Sequence, residues 1–385
     1  MNIRIVSILS MLLLITSNVN ATEVDISGYA TFAATYSDAK NTTGGNADFV
    51  NGLATNKIQF DKQTNLGLQI SAKVSKKIDL TAVLHAEGAR DNYNIATQWV
   101  YATYQFDDEL SLRMGKYKGS FYMVSDYKDV GYAYPWVRPP LEVYSTNPIE
   151  GFTGLDLVYQ TEVSDMSLLL ELFAGSGDHS AKYIPSTTDA PAGAPYYGLA
   201  DSTKKGQSIS FDTPNAKGFN LALTGNIGTF RIGYFETGVN AAAFGIQNSF
   251  GSFGGVGFNI DWNNLVVYSE YIVRETAPSL AGAFPDQKAY YVTFGYRTGK
   301  FLPYVTYANL SKGKDDSPYA QLQSSVALGL RTEVSDSAAL KFEVMNVVPN
   351  KNTSAGFNTT SSGYGLFDTP VKSGTVATVT FDVIF

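Results

Sequence analysis

Charged side chains recur along runs of this chain that are otherwise apolar. Lys73, Glu87, Arg113, Asp156, Glu171, Arg231, Asp261, Glu270, Arg331, Lys341 and Glu343 all sit in such runs, most with apolar neighbours on both sides. His85 stands two residues before Glu87, on the same face of its run. A histidine beside a carboxylate has the types for base or metal chemistry. Covalent catalysis asks for more: a nucleophile, a base and an orienting group in contact. The only histidines are His85 and His179, far apart in the chain, and no GxSxG elbow occurs. The glycine-rich stretch FGSFGGVGF carries no P-loop lysine after it. No catalytic residue, metal ligand or cofactor is expected from these residues. Ladders of fixed charge can instead attract, repel and orient ions.

Those charges must be positioned by strands, because the pattern has period two. Leu66, Leu68, Ile70, Ala72 and Val74 alternate with Asn65, Gly67, Gln69, Ser71 and Lys73. After Ser75-Lys76-Lys77 the alternation resumes from Ile78. That is a hairpin with a very short turn. The device recurs at Asp107-Asp108-Glu109, Val163-Ser164-Asp165, Asn226-Ile227-Gly228, Asn263-Asn264, Thr298-Gly299-Lys300 and Ser335-Asp336-Ser337. Between these seven tight turns lie eight longer stretches rich in Gly, Ser, Asn, Asp and Pro. Together they join sixteen strands: 24–36, 63–75, 78–88, 98–106, 110–118, 151–161, 166–175, 217–225, 229–238, 249–262, 265–275, 288–297, 301–310, 321–333, 338–347 and 375–385. His179 falls in one of the long loops.

The expected fold is all-β, a transmembrane antiparallel barrel with short periplasmic turns and long extracellular loops. Strands of about 9–11 residues cross a bilayer when tilted. A Lys or Arg facing lipid at mid-membrane costs about 2–4 kcal/mol, so the charged faces must point inward. Leu112, Met114, Leu155, Leu157, Phe294, Leu328, Leu330, Phe342 and Val344 then point outward. Tyr104, Phe106, Trp262, Tyr296 and Phe301 cluster beside the short turns, where half-wet aromatic rings suit the lipid headgroups. The chain ends in TVATVTFDVIF, with Val379, Phe381, Val383 and Phe385 on one face. Such an ending belongs to a closing strand, since an open edge has no water to pair with in hydrocarbon.

Composition narrows the setting. Arg4, the apolar run Ile5–Ile15 and small residues ahead of Ala21 read as an export signal, residues 1–21, cut after Ala21. The barrel domain is then 22–385. It has no cysteine, 27 Lys and Arg against 35 Asp and Glu, and a formal charge of −8. That balance argues against nucleic acid as a partner.

The export signal, the opening VDISGYATFAATY, the sixteen-strand rhythm and the terminal TVTFDVIF resemble the Gram-negative outer-membrane porins over nearly the whole mature chain. The resemblance implies residence in the cell outer membrane, contact with outer-membrane lipid and a homotrimer. It also implies a water-filled channel for passive diffusion of small hydrophilic solutes or ions, not an enzyme. Phe385 would be the assembly signal read by the barrel-assembly machinery. The segment LRMGKYKGSFYMVSDYKDVGYAYPWVRPPLEVY is similar to the porin region where strand five leads into a loop that folds into the lumen. Residues 119–150 are therefore the candidate constriction loop, with Asp126, Lys128, Asp129, Arg138 and Glu142 as its charges. Prolines 135, 139 and 140 stiffen it. Opposite it, the candidate wall charges are Lys73, His85, Glu87, Arg113, Arg231, Arg331 and Lys341. Two other classes fit the pattern less well: a barrel whose long loops serve surface binding or adhesion, and a barrel hydrolase.

Overall fold

In a computed structural model, the described residues are 23–50, 53–88, 93–182, 208–242, 245–281, 284–314, 320–350, 366 and 371–385. The proposed export signal and its cut after Ala21 lie outside them.

Sixteen antiparallel strands close into one barrel. They are β1 Glu23–Ser37, β2 Asn65–Ser75, β3 Ile78–Glu87, β4 Ala96–Gln105, β5 Leu110–Lys118, β6 Gly151–Val163, β7 Met166–Lys182 and β8 Ser208–Gly225. Then follow β9 Gly228–Ala241, β10 Ile246–Trp262, β11 Leu265–Thr276, β12 Gln287–Tyr296, β13 Phe301–Lys312, β14 Gln323–Ser335, β15 Ala338–Pro349 and β16 Gly374–Ile384. Each strand pairs with its sequence neighbours, and β1 pairs with β16 from Tyr29 opposite Ile384 to Ser37 opposite Val376. Phe385 extends that seam: Gly28 N donates to its carbonyl at 2.7 Å and its N–H donates to the Gly28 carbonyl at 3.0 Å.

The tight turns are chemically suited to their geometry. Ser164 and Asp165 both have positive φ, as do Asn263 and Asn264, which is what a two-residue hairpin of primed type demands.

Alternation sets the two faces. Ile26, Leu66, Met114, Phe294, Leu328 and Phe342 are exposed on the outside, as are Val379 and Phe381. Their strand neighbours Thr378, Thr380 and Asp382 are buried inside. Tyr104, Phe106, Trp262, Tyr296 and Phe301 are likewise exposed beside the short turns.

The strands depart from expectation at the long-loop end. β7 and β8 were expected to stop near 175 and start near 217, but they stay paired out to Lys182 opposite Ser208. His179 is therefore a strand residue, not a loop residue. Beyond the bilayer a strand has no lipid to face, so its sequence loses the apolar alternation that marks it. For the same reason β9 and β10 run on to Ala241 and from Ile246, and the long loop expected between them is short.

The interior is also drier than the charged ladders suggested. Tyr117, Trp136, Val143, Phe152, Phe235, Phe253, Ile272 and Tyr291 belong to one buried apolar cluster inside the barrel. It forms because residues 119–150 fold inward and pack their rings on the wall.

Candidate functional site: the lumen and its inner loop

The inner loop leaves β5 at Lys118 and returns at Gly151. Short 3-10 turns at Ser125–Tyr127 and Gly131–Ala133 and one helical turn, Leu141–Tyr144, give it shape. Pro140 immediately precedes that helical turn. Aromatic rings seat it: Trp136 lies edge-on to Tyr268 and Tyr291 at 4.9 and 5.5 Å. Tyr122 stacks on Tyr144 at 4.4 Å, and Phe121 meets Phe235 at 4.6 Å. Trp136 also donates its indole N–H towards Thr293 and Thr306, at 2.9 and 3.2 Å.

Wall charges grip the loop through its main chain. On β9, Arg231 donates to the carbonyls of Tyr122 at 2.6 Å and Met123 at 3.3 Å. On β14, Arg331 donates to the carbonyls of Tyr132 and, at 2.9 Å, Tyr134. On β15, Lys341 donates to those of Gly131 at 2.5 Å and Trp136 at 2.7 Å. Glu270 on β11 accepts from Met123 N at 2.6 Å, the Tyr144 hydroxyl at 2.5 Å and the Tyr291 hydroxyl at 2.9 Å. A buried carboxylate with three donors is satisfied, which offsets much of its desolvation cost.

This arrangement corrects part of the sequence reading. Arg231, Arg331 and Lys341 were expected to face the loop across open water. They are buried beneath it and hold it. Glu142 is buried too, accepting from Gln323 Nε2 at 2.7 Å. Arg138 is partly buried in the seam, donating to Gln63 at 2.5 Å and Thr378 at 3.3 Å. Alternation told inside from outside, but not which inside positions the loop would cover.

The other predicted charges are placed differently. Arg113 bridges Asp156 and Glu171, and Glu171 accepts from Asn220 at 2.6 Å. Asn220 in turn accepts from Arg231 Nε at 2.6 Å, so one chain of contacts runs from β5 to the loop. Lys73 is exposed, near the short-turn end of β2. His85 is buried with its ring centroid 6.1 Å from that of Tyr29, and Glu87 is partly buried at the far end of the same strand. Lys128 is half-buried, while Asp126 is exposed.

Asp129 makes the closest tie to the β4–β5 wall. It accepts from Lys118 Nζ at 2.7 Å and Gln98 Nε2 at 2.9 Å. Lys118 in turn lies 5.1 Å from the centre of the Trp99 ring. Burial opposes ionisation of Asp129, but the charges of Lys118, Lys128 and His85 outweigh it and hold the carboxyl well below its ordinary range. Lys118, Gln98, Gln63, Gln323 and Trp136 were not among the residues singled out. Only Trp136, a ring amid the prolines of the loop, carried a signal that could have marked it.

Below Asp129 the lumen is open. A cavity of about 460 Å³ is lined by Tyr29, Gln69, Val83 and Trp99 from the wall and by Asp126, Asp129 and Val130 from the loop. It reaches Ser337 and Ile384 at the short-turn rim.

No family model and no curated protein matches the chain. Solved structures do. The outer membrane channel DcaP of Acinetobacter baumannii superposes with a TM-score of 0.57 at 12% identity, over 94% of this chain and 97% of that one. OmpT of Vibrio cholerae, in a trimer form, gives 0.55 at 11%, over 94% and 99%. A porin of Rh. blastica gives 0.50 at 10%, over 94% and 100%. The fold is that of the outer-membrane porins. At such low identity the likeness extends to the barrel and its closure, not to individual side chains of the lumen.

Proposed function

We propose that the chain is an outer-membrane porin, a water-filled channel through which small hydrophilic solutes or ions diffuse passively. One observation carries this reading: a closed barrel that is apolar outside holds a 32-residue loop (119–150) inside, with an open cavity beneath it. An apolar exterior fits lipid. A barrel of sixteen strands is wide enough to leave an aqueous bore even with a loop in it. Asp126, Lys128 and Asp129 on the loop, with Lys118 and Arg113 on the wall, would set its charge preference.

The short turns would face the periplasm and the long loops the exterior. A homotrimer fits the trimer form of the Vibrio cholerae protein. Phe385, paired with Gly28 in the seam, is the assembly signal in this reading. The chain is read as a channel and not as an enzyme. His85 lies against Tyr29, whereas His179 lies among Phe152, Phe211 and Thr213, so the two histidines share no site.

The test is single-channel recording in a planar bilayer, with the reversal potential measured in a salt gradient. Discrete conductance steps are expected. A deletion of residues 125–145 should enlarge them and weaken ion selectivity. Purified, folded barrel that gives no current above background would overturn the reading in favour of surface binding.

A further inference from the structure

The cavity beneath the loop has two unlike sides. Its wall side is largely apolar, formed by the Trp99 and Tyr29 rings and Val83, alongside the polar groups of Gln69 and Lys118, the latter 5.1 Å from the centre of the Trp99 ring. Trp99 and Val83 are directly opposite in the β3–β4 register, so the ring and the branched side chain form one surface. The Trp99 indole N–H is shielded from solvent and has no acceptor among the described residues.

The loop side carries Asp126 and Asp129. Lys118 and Asp129 are paired with each other at 2.7 Å. Asp126 makes no ion pair among the described residues. It is exposed, and its contact is a long one, 3.4 Å, from the Ser120 hydroxyl. Its carboxylate can therefore accept from a solute without breaking a strong bond. An apolar plate on one side and an exposed carboxylate on the other select a particular chemistry.

We propose that this cavity is a binding station for amphipathic organic cations: an apolar or aromatic body lies on Trp99, Tyr29 and Val83, and an ammonium group meets Asp126. The proposal rests on the channel reading for its route of access, but not for the binding itself. Because the cavity reaches the short-turn rim at Ser337 and Ile384, such solutes enter it from that side without passing the Lys118–Asp129 pair.

The probe is benzylammonium, compared with benzyl alcohol and benzenesulfonate. Potassium chloride current is recorded while each is added on the short-turn side. Tryptophan emission of the detergent-solubilised barrel is titrated in parallel. The cation should reduce the current saturably and shift the emission over the same concentration range. Asp126→Asn should weaken both about tenfold, the scale of one charge-assisted hydrogen bond. Trp99→Phe should remove the emission response, since Trp136 and Trp262 lie away from the cavity lining. Equal effects from the anion or the alcohol, or an Asp126→Asn barrel that responds like the parent, would overturn the station. Conductance without a saturable emission change also overturns it and leaves the channel standing. A saturable, Asp126-dependent emission change in a barrel that does not conduct supports the station and removes the channel.

Discussion

Lys341 Nζ lies 3.1 Å from Asp382 Oδ2, and both side chains are wholly buried. The pair joins the last two strands and also carries the inner loop. Lys341 donates to the carbonyls of Gly131 and Trp136, while Asp382 accepts from Thr31 at 2.6 Å across the β1–β16 seam and from Thr380 at 3.0 Å. Lys341→Met would strand a buried carboxylate and release two loop carbonyls. Loss of one partner of such a pair typically costs about 3–5 kcal/mol. The expected outcome is a markedly lower thermal unfolding temperature in detergent, together with larger and noisier conductance. A double change, Lys341→Met with Asp382→Asn, should recover part of the stability but not the loop position. A double variant no more stable than Lys341→Met alone would mean the pair is not the unit that holds this region.

Gly131 sits where the loop presses on the wall of β1 and β16. A β-carbon there would come within 2.1 Å of Asp382 Oδ1 and 2.6 Å of Thr31 Oγ1. Gly131→Ala should therefore lift the loop off β1 and β16 without adding or removing a charge. Overpacking of this kind costs about 1–3 kcal/mol. Conductance should rise while the reversal potential stays near that of the parent. Unchanged conductance at wild-type stability would show that the loop can shift here at no cost.

Asp129 should make the channel resistant to acid. Its carboxyl is held well below the ordinary value, burial being outweighed by Lys118, Lys128 and His85. A group depressed in this way contributes stability that is fully present above its unfolded pKa, about 3.9, and is lost only as pH falls through the folded value. Conductance and selectivity governed by this tie should hold from pH 7 down to about 4 and change only below that. Asp129→Asn should loosen the tie to Lys118 and Gln98 at every pH, raising conductance throughout. A parent channel whose loop-dependent conductance titrates near pH 5 would contradict this account.

Phe385 and Gly28 form the last pair of the seam. A β-carbon on Gly28 would meet the Phe385 ring at 2.5 Å, so the ring lies over the bare backbone there. Removing Phe385 takes away both backbone bonds of that pair as well as the ring. The yield of folded, heat-resistant barrel in the outer membrane should fall much further than for an alanine change at His179. Gly28→Val should displace the ring and lower the yield by a smaller amount. Equal yields for the Phe385 deletion and the His179 change would remove the terminal residue from the assembly account.

Much of the cylinder can be read in one dimension, because lipid imposes a local rule. Val379 and Phe381 had to face outward and Asp382 inward whatever lay across the strand, and they do. The turn residues Asn263 and Asn264 likewise announce a hairpin by their own backbone preferences. The contents of the lumen follow no such rule. Arg331 and Arg113 look alike in sequence, each an isolated cation in an apolar run. One is capped by loop carbonyls while the other bridges two carboxylates. A main-chain carbonyl has no side-chain signature, and its partner lies almost 200 residues away. Glu142 shows the same limit: its charge suggested an open bore, yet Gln323 and the loop packing bury it.

The loop hangs from the wall by its peptide oxygens as well as by its own side chains. Replacing a residue leaves its carbonyl in place, so the suspension tolerates substitution along the free edge of the loop. Positions such as 126, 128 and 133 can drift in size and charge while Arg231, Arg331 and Lys341 keep their hold. A lineage of such barrels could thus exchange one set of solutes for another by a few point changes, without rebuilding the frame that carries them.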